Sequence, residues 1–115
     1  MKKKILVQAA QEYFSDAQDA YNKEHYNSAV VLYFKTIVAL VDMHILDNQH
    51  ITPSSHTHRF RICQEYYPDL YDVLDKIFPF YQDSYIQKMS KELAEVLKDD
   101  ALTLAQNGNV QLTRY

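Results

Sequence analysis

The sequence predicts an all-α fold, an antiparallel up-and-down bundle of four to five helices. Three observations carry that expectation. One glycine (Gly108) and three prolines (Pro53, Pro68, Pro79) in 115 residues leave too few turns for a β-rich chain. Apolar residues recur at three- and four-residue spacing over long stretches, the period of a helix with one buried face. No stretch alternates apolar and polar in the manner of a strand, and no glycine-rich phosphate loop is present, which excludes Rossmann and P-loop chemistry. At 115 residues and 47% hydrophobic content the chain suits one domain with one core. Residues 1–108 are expected to form that domain and residues 109–115 a flexible C-terminal tail.

The first helix is expected over residues 3–23, where Leu6, Ala10, Tyr13, Ala17 and Tyr21 form one stripe. The short break "NKEHYN" returns the chain antiparallel to itself. The second helix, residues 26–46, is apolar on nearly every side, as a helix in the middle of a bundle or a subunit interface is. Its polar residues Ser28, Lys35 and Asp42 are seven apart and share one face. After the loop "DNQHITPSS", Ser54 or Ser55 can cap a third helix over residues 56–67, stopped near Pro68. Pro68-Asp69 opens a fourth helix with the stripe Leu70, Leu74, Ile77, Tyr81, Tyr85. Pro79 inside it removes the hydrogen bond to the Asp75 carbonyl, so a kink or break is expected there. Ser90 caps a fifth helix with Leu93, Val96, Leu97, Asp100, Ala101 and Leu104 recurring, and Gly108 ends it.

A net charge of −3 argues against general DNA binding, which calls for a basic face. Lys2, Lys3 and Lys4 read as a solvated helix end. Cys63 is the only cysteine, so neither an intrachain disulfide nor a cysteine-rich zinc site can form, and a reducing, cytoplasmic setting fits. The stretch "ILVQAAQEYFSDAQ" turns polar too soon for a signal peptide, and "AVVLYF" is far short of a membrane span.

The segment "HITPSSHTHRFRI", residues 50–62, concentrates the polar chemistry. On a helix, His56, Phe60, Cys63 and Tyr67 share an inward face with Arg59 beside it, while His58, Arg61 and Glu65 face outward. A buried arginine is costly unless a carboxylate meets it, and Asp42 on the second helix is the favoured partner. Beside a catalytic role, which the residues support least, two readings stand. Asp42, Arg59 and His56 form a structural network, or His56, Arg59, Lys35 and Asp42 frame a pocket for an anionic or nucleotide-like ligand. His58 and Arg61 are secondary surface candidates. Metal binding is not expected: His56 and His58 diverge around the helix, His50 sits on a loop, and His25 and His44 read as helix-end residues. No cofactor is implied. Tyr67, Tyr81 and Tyr85 read as packing residues, and Tyr71 is open between packing and base stacking.

The helical pair "AQDAYNKEHYNSAVVLYFKTIVALVD", with "PSSHTHRFRICQEYYPDLYDVLDKIF" and "YQDSY", resembles the HEPN family (higher eukaryotes and prokaryotes nucleotide-binding), in particular small stand-alone archaeal members. The resemblance implies a helical bundle that binds nucleotide or RNA. It further implies a homodimer and, in some members, pairing with a minimal nucleotidyltransferase in toxin–antitoxin modules. Many family members are metal-independent ribonucleases that use an arginine followed four to six residues later by a histidine. No histidine follows Arg59 or Arg61 here, so no catalytic residue is carried over. A non-catalytic binding module is the expectation, with a dimeric ribonuclease as the alternative. The excess apolar surface of the second helix also points to a homodimer.

Overall fold

In the computed structural model, which describes residues 1–113, the chain forms five helices and no strand among those residues. They are α1 (Lys2–Asn22), α2 (Tyr26–Gln49), α3 (His56–Tyr66), α4 (Pro68–Asp83) and α5 (Lys91–Asn107). The all-α bundle expected from the periodicity is the fold.

Helix α2 runs through the centre and packs against α1, α5 and α4. Tyr33, Phe34, Ile37, Leu40, Val41 and Ile45 are all buried there. By length and composition α2 could cross a membrane, yet 67% of its most apolar window is buried inside the bundle, as in a core helix. The apolar girth that suggested a subunit interface is thus covered within one chain. Small residues set the close approach of its neighbours: Ala10, Ala17 and Ala20 of α1 and Ala94, Ala101 and Ala105 of α5 are buried. The α5 face is therefore rotated from the expected stripe, and Val96 is 38% exposed.

The helix ends use left-handed backbone without glycine. Glu24 at φ 61° follows α1, and the His25 N–H reaches back to the Ala20 carbonyl at 2.8 Å, a six-to-one closure. His50, also at φ 61°, ends α2 a turn later than expected, and Asn48 Nδ2 donates to the His44 carbonyl in that last turn. His44 consequently sits within the helix and meets Tyr67 edge-on at 4.7 Å. At the end of α5 the left-handed residue is Asn109, not Gly108. A Cβ on Gly108 would lie 2.9 Å from Met43 Cε, the mobile end of that side chain, which would have to shift to admit it.

Residues 109–113, expected as tail, fold back along α1. Leu112 is buried and Gln11 Nε2 donates to the Gln111 carbonyl at 2.9 Å. Apolar Val110 and Leu112 supply the burial that the polar neighbours conceal in the sequence. Residues 114–115 lie outside the described residues.

Helices α3 and α4 pack on each other and share Tyr67, which ends one helix and starts the next. Pro68 forces the break there and suits the first turn of α4, where its missing N–H costs nothing. Pro79 does not break α4, which continues to Asp83. Phe78, Phe80 and Tyr81 on either side of Pro79 pack against the core and hold the helical path. The helix ends before Tyr85, which is 70% exposed and meets the bundle through its hydroxyl, 2.8 Å from that of Tyr81.

The connector from α4 to α5 is pinned by Asn27. Its Nδ2 donates to the carbonyls of Ser84 (2.9 Å) and Gln87 (2.7 Å), and its Oδ1 accepts from the Met89 N–H (2.9 Å). Ser90 then caps α5 by accepting from the Leu93 N–H, as expected. Two ion pairs join helices at the surface, Lys3 with Asp47 and Lys76 with Asp100. The first lies in the open and contributes little.

Because Pro79 is exposed and its ring removes one backbone bond from a continuous helix, Pro79→Ala should raise stability by roughly 1–3 kcal/mol in urea unfolding. A loss of stability would show that the ring itself packs.

Candidate functional site

The loop and first turn of α3 assemble around serine caps. Ser55 Oγ accepts from the His58 N–H at 3.1 Å, the N-cap expected of this position. The Ser54 N–H donates to His58 Nδ1 at 3.0 Å. His58 therefore folds back onto the loop and is half-buried, whereas an outward-facing histidine was expected. The cap geometry, which helical phase alone cannot register, overrides its position on the wheel. Arg61 is exposed as expected, and no Arg61–Glu65 ion pair forms among the described residues.

One turn on, Arg59 is 7% exposed and meets Asp42, itself 9% exposed, across the gap between α3 and α2. Arg59 Nε donates to Asp42 Oδ1 at 2.7 Å and Nη2 to Oδ2 at 2.9 Å, a two-pronged contact. That planar fork matches a carboxylate as no lysine could. Nη1 lies 2.9 Å from His56 Nδ1. The expected trio of Asp42, Arg59 and His56 is thus in contact. Breaking such a buried pair from one side costs about 3–5 kcal/mol, because the remaining charge is left uncompensated.

The contact to His56 fixes its proton. A guanidinium has donors and no acceptor, so Nδ1 must accept and the neutral ring carries its hydrogen on Nε2. Burial lowers the His56 pKa, and the neighbouring Arg59 charge lowers it further, against a weaker opposing pull from Asp42. His56 is neutral near pH 7 on both grounds. It is also more exposed than its helix phase suggested: the ring rests on Phe78 at 5.3 Å and Phe34 at 5.9 Å while its rim reaches solvent. The face of α3 that is buried is Arg59, Ile62 and Cys63. The Cys63 thiol is pushed up to about 11 by burial, so it is a protonated core residue.

His56 forms one wall of a cleft of about 280 Å³ between α1, α2 and α4. Leu6 and Tyr13 of α1, Lys35 and Asp42 of α2, and Tyr81 of α4 line it with His56. Tyr81 lies flat on Phe34, ring centroids 4.2 Å apart and 14° from parallel. Lys35 is exposed, with Nζ 5.9 Å above the Tyr13 ring, and pairs with no carboxylate among the described residues. The cleft thus gathers three of the four expected residues, Lys35, Asp42 and His56. Arg59 stands behind them, each of its three nitrogens making one of these contacts. Asp42 is neutralised by Arg59 and His56 carries no charge, so Lys35 is the one uncompensated charge on the lining. Among the described residues no three His, Cys, Asp or Glu side chains gather as a metal site would require.

Tyr13 and Tyr81 are the site residues that the sequence did not assign. Each was visible as part of a helical stripe, but which tyrosine faces Lys35 depends on the register of α1 against α2, which no local pattern sets. Arg61 lines a second, shallower groove on the other side of His56, with Phe60, Tyr71 and Phe78. Tyr71 packs edge-on against Phe60 at 6.1 Å and leaves part of its ring in that groove.

The lowered pKa of His56 has a definite consequence for stability. Between the lowered folded value and the ordinary 6.5 the unfolded chain binds more proton than the folded one, so stability rises with pH through that interval and levels off above it. Melting at pH 7.5 and pH 5 should show a larger drop for the native chain than for His56→Gln. Imidazole NMR should place the neutral proton on Nε2; an Nδ1–H tautomer would contradict the assignment. Comparison with known proteins finds no family model that matches the chain and no curated protein or solved structure similar to it.

Proposed function

We propose that the protein is a non-catalytic binding module of the HEPN type, and that the Lys35 cleft takes the phosphate-bearing part of a nucleotide or RNA. The observation that carries this reading is the pairing of one uncompensated cation, Lys35, with a neutral histidine donor and two tyrosine rings in one cleft. An anion finds a charge at Lys35 and a hydrogen-bond donor at His56 Nε2. Tyr13 and Tyr81 offer flat apolar surface for a base or ribose.

The protonation of His56 favours binding over catalysis. A general base must offer a lone pair, yet that of Nδ1 is held by Arg59 and Nε2 carries the proton. The arginine that would steady a phosphate in a ribonuclease is here engaged with Asp42. A homodimer or a nucleotidyltransferase partner is compatible with this reading and required by neither feature of the cleft.

Titration calorimetry with AMP, ATP and a short oligoribonucleotide tests the proposal. At least one should bind, with Lys35→Ala weakening it about tenfold while the melting temperature stays within a few degrees, since an exposed lysine contributes little to stability. Absence of binding by all three would overturn it. RNA cleavage in chelator, lost in a folded His56→Ala variant, would establish the ribonuclease alternative instead.

A further inference from the structure

At the opposite face of α2 from Lys35 lies a cleft of about 360 Å³ that shares no residue with the first. Its floor is apolar: Leu40, Val41 and Met43 of α2, Leu70 of α4 and Leu104 of α5. Its rim is aromatic. Tyr66 is 55% exposed, Tyr67 stands beside it with ring centroids 6.4 Å apart, and His44 abuts Tyr67 edge-on. This volume falls within the range that encloses a small molecule.

The charge on this lining is of one sign. Asp69 is its only residue of fixed charge, and neither lysine nor arginine contributes to it. Two helices also end here: α3 at Tyr66 and α5 at Asn107, both of which line the cleft. Each brings the partial negative charge of a helix C-terminus. The α4 N-terminus opposes them in part, but it opens with Pro68, which has no N–H, and carries Asp69 in its first turn. Tyrosine faces add a further preference for cations over anions. Gly108 lines the cleft beside Met43 and adds no side chain to it.

We infer that this cleft binds a small organic ammonium, its hydrocarbon part on Leu70, Leu104 and Met43 and its cationic head between Asp69 and the Tyr66–Tyr67 rings. The chemistry is the reverse of the Lys35 cleft, which suits an anion, so the two sites stand or fall separately.

Phenethylammonium, the neutral phenethyl alcohol and the anionic phenylacetate are probes of matched size. Titrated into the full chain and followed by NMR, phenethylammonium should shift the Met43 methyl, the Tyr66 and Tyr67 rings and the Gly108 amide. It should bind about tenfold more tightly than the alcohol, and phenylacetate should leave those signals in place. Asp69→Asn should bring the affinity for the ammonium most of the way to that for the alcohol without altering that of the alcohol. Leu104→Phe, which fills the floor, should abolish both while the other amide signals keep their positions. Equal binding of ammonium and alcohol, no effect of Asp69→Asn, or shifts confined to other surfaces would each overturn the inference.

Discussion

The buried pair of Arg59 and Asp42 is the interaction on which the arrangement of this molecule turns. Helices α1, α2 and α5 are held by continuous apolar packing, and the removal of any one polar group would leave that packing in place. Helix α3 is different. It is short, leans chiefly on α4, buries Ile62 and Cys63 in the core, and meets α2 through the Arg59–Asp42 fork and the His56 ring against Phe34. Two charges withdrawn from water hold only when each satisfies the other. The forked contact therefore acts with buried Ile62 and Cys63 to fix which face of α3 turns toward α2. His56 and the wall of the Lys35 cleft follow from that placement.

The same pair also determines what chemistry the site can offer. By engaging Asp42 it removes the one carboxylate from the cleft's charge balance and leaves Lys35 unopposed. By donating to His56 it fixes the ring as a hydrogen-bond donor toward solvent. An inventory of titratable residues would count a histidine, an arginine and an aspartate together and suggest a catalytic cluster. Their hydrogen bonds instead make them a frame, and the groups left free are a lysine, an N–H and two phenol rings.

Much of this was legible in the residues. The helices, the caps at Ser55 and Ser90, the break at Pro68 and the partnership of Arg59 with Asp42 all follow from local signals or from the cost of burying an unpaired charge. What was not legible depends on more than one element. The rotation of α5 is set by alanines that are buried where it packs into the bundle, chiefly against α2. The continuation of α4 through Pro79 depends on Phe78 and Tyr81 finding the core. His58 folded back onto the loop because the Ser54 N–H holds its ring, and Val110 and Leu112 drew an apparent tail back onto α1. Asn27 shows the limit most plainly. Nothing in "YNSAV" marks it, yet it holds a connector almost sixty residues away in sequence. Gly108 does stand at the end of α5 as expected, but the left-handed residue of that turn is Asn109.

Arg59 and Asp42 thus serve each other as structural partners before they serve any ligand. A double-mutant cycle measures that partnership directly, with Arg59→Met, Asp42→Leu and the two together compared by urea unfolding. Each single change should cost about 3–5 kcal/mol, and the double variant should regain much of that loss, since no buried charge is then stranded. Additive losses, with the double variant the least stable of the three, would contradict the partnership.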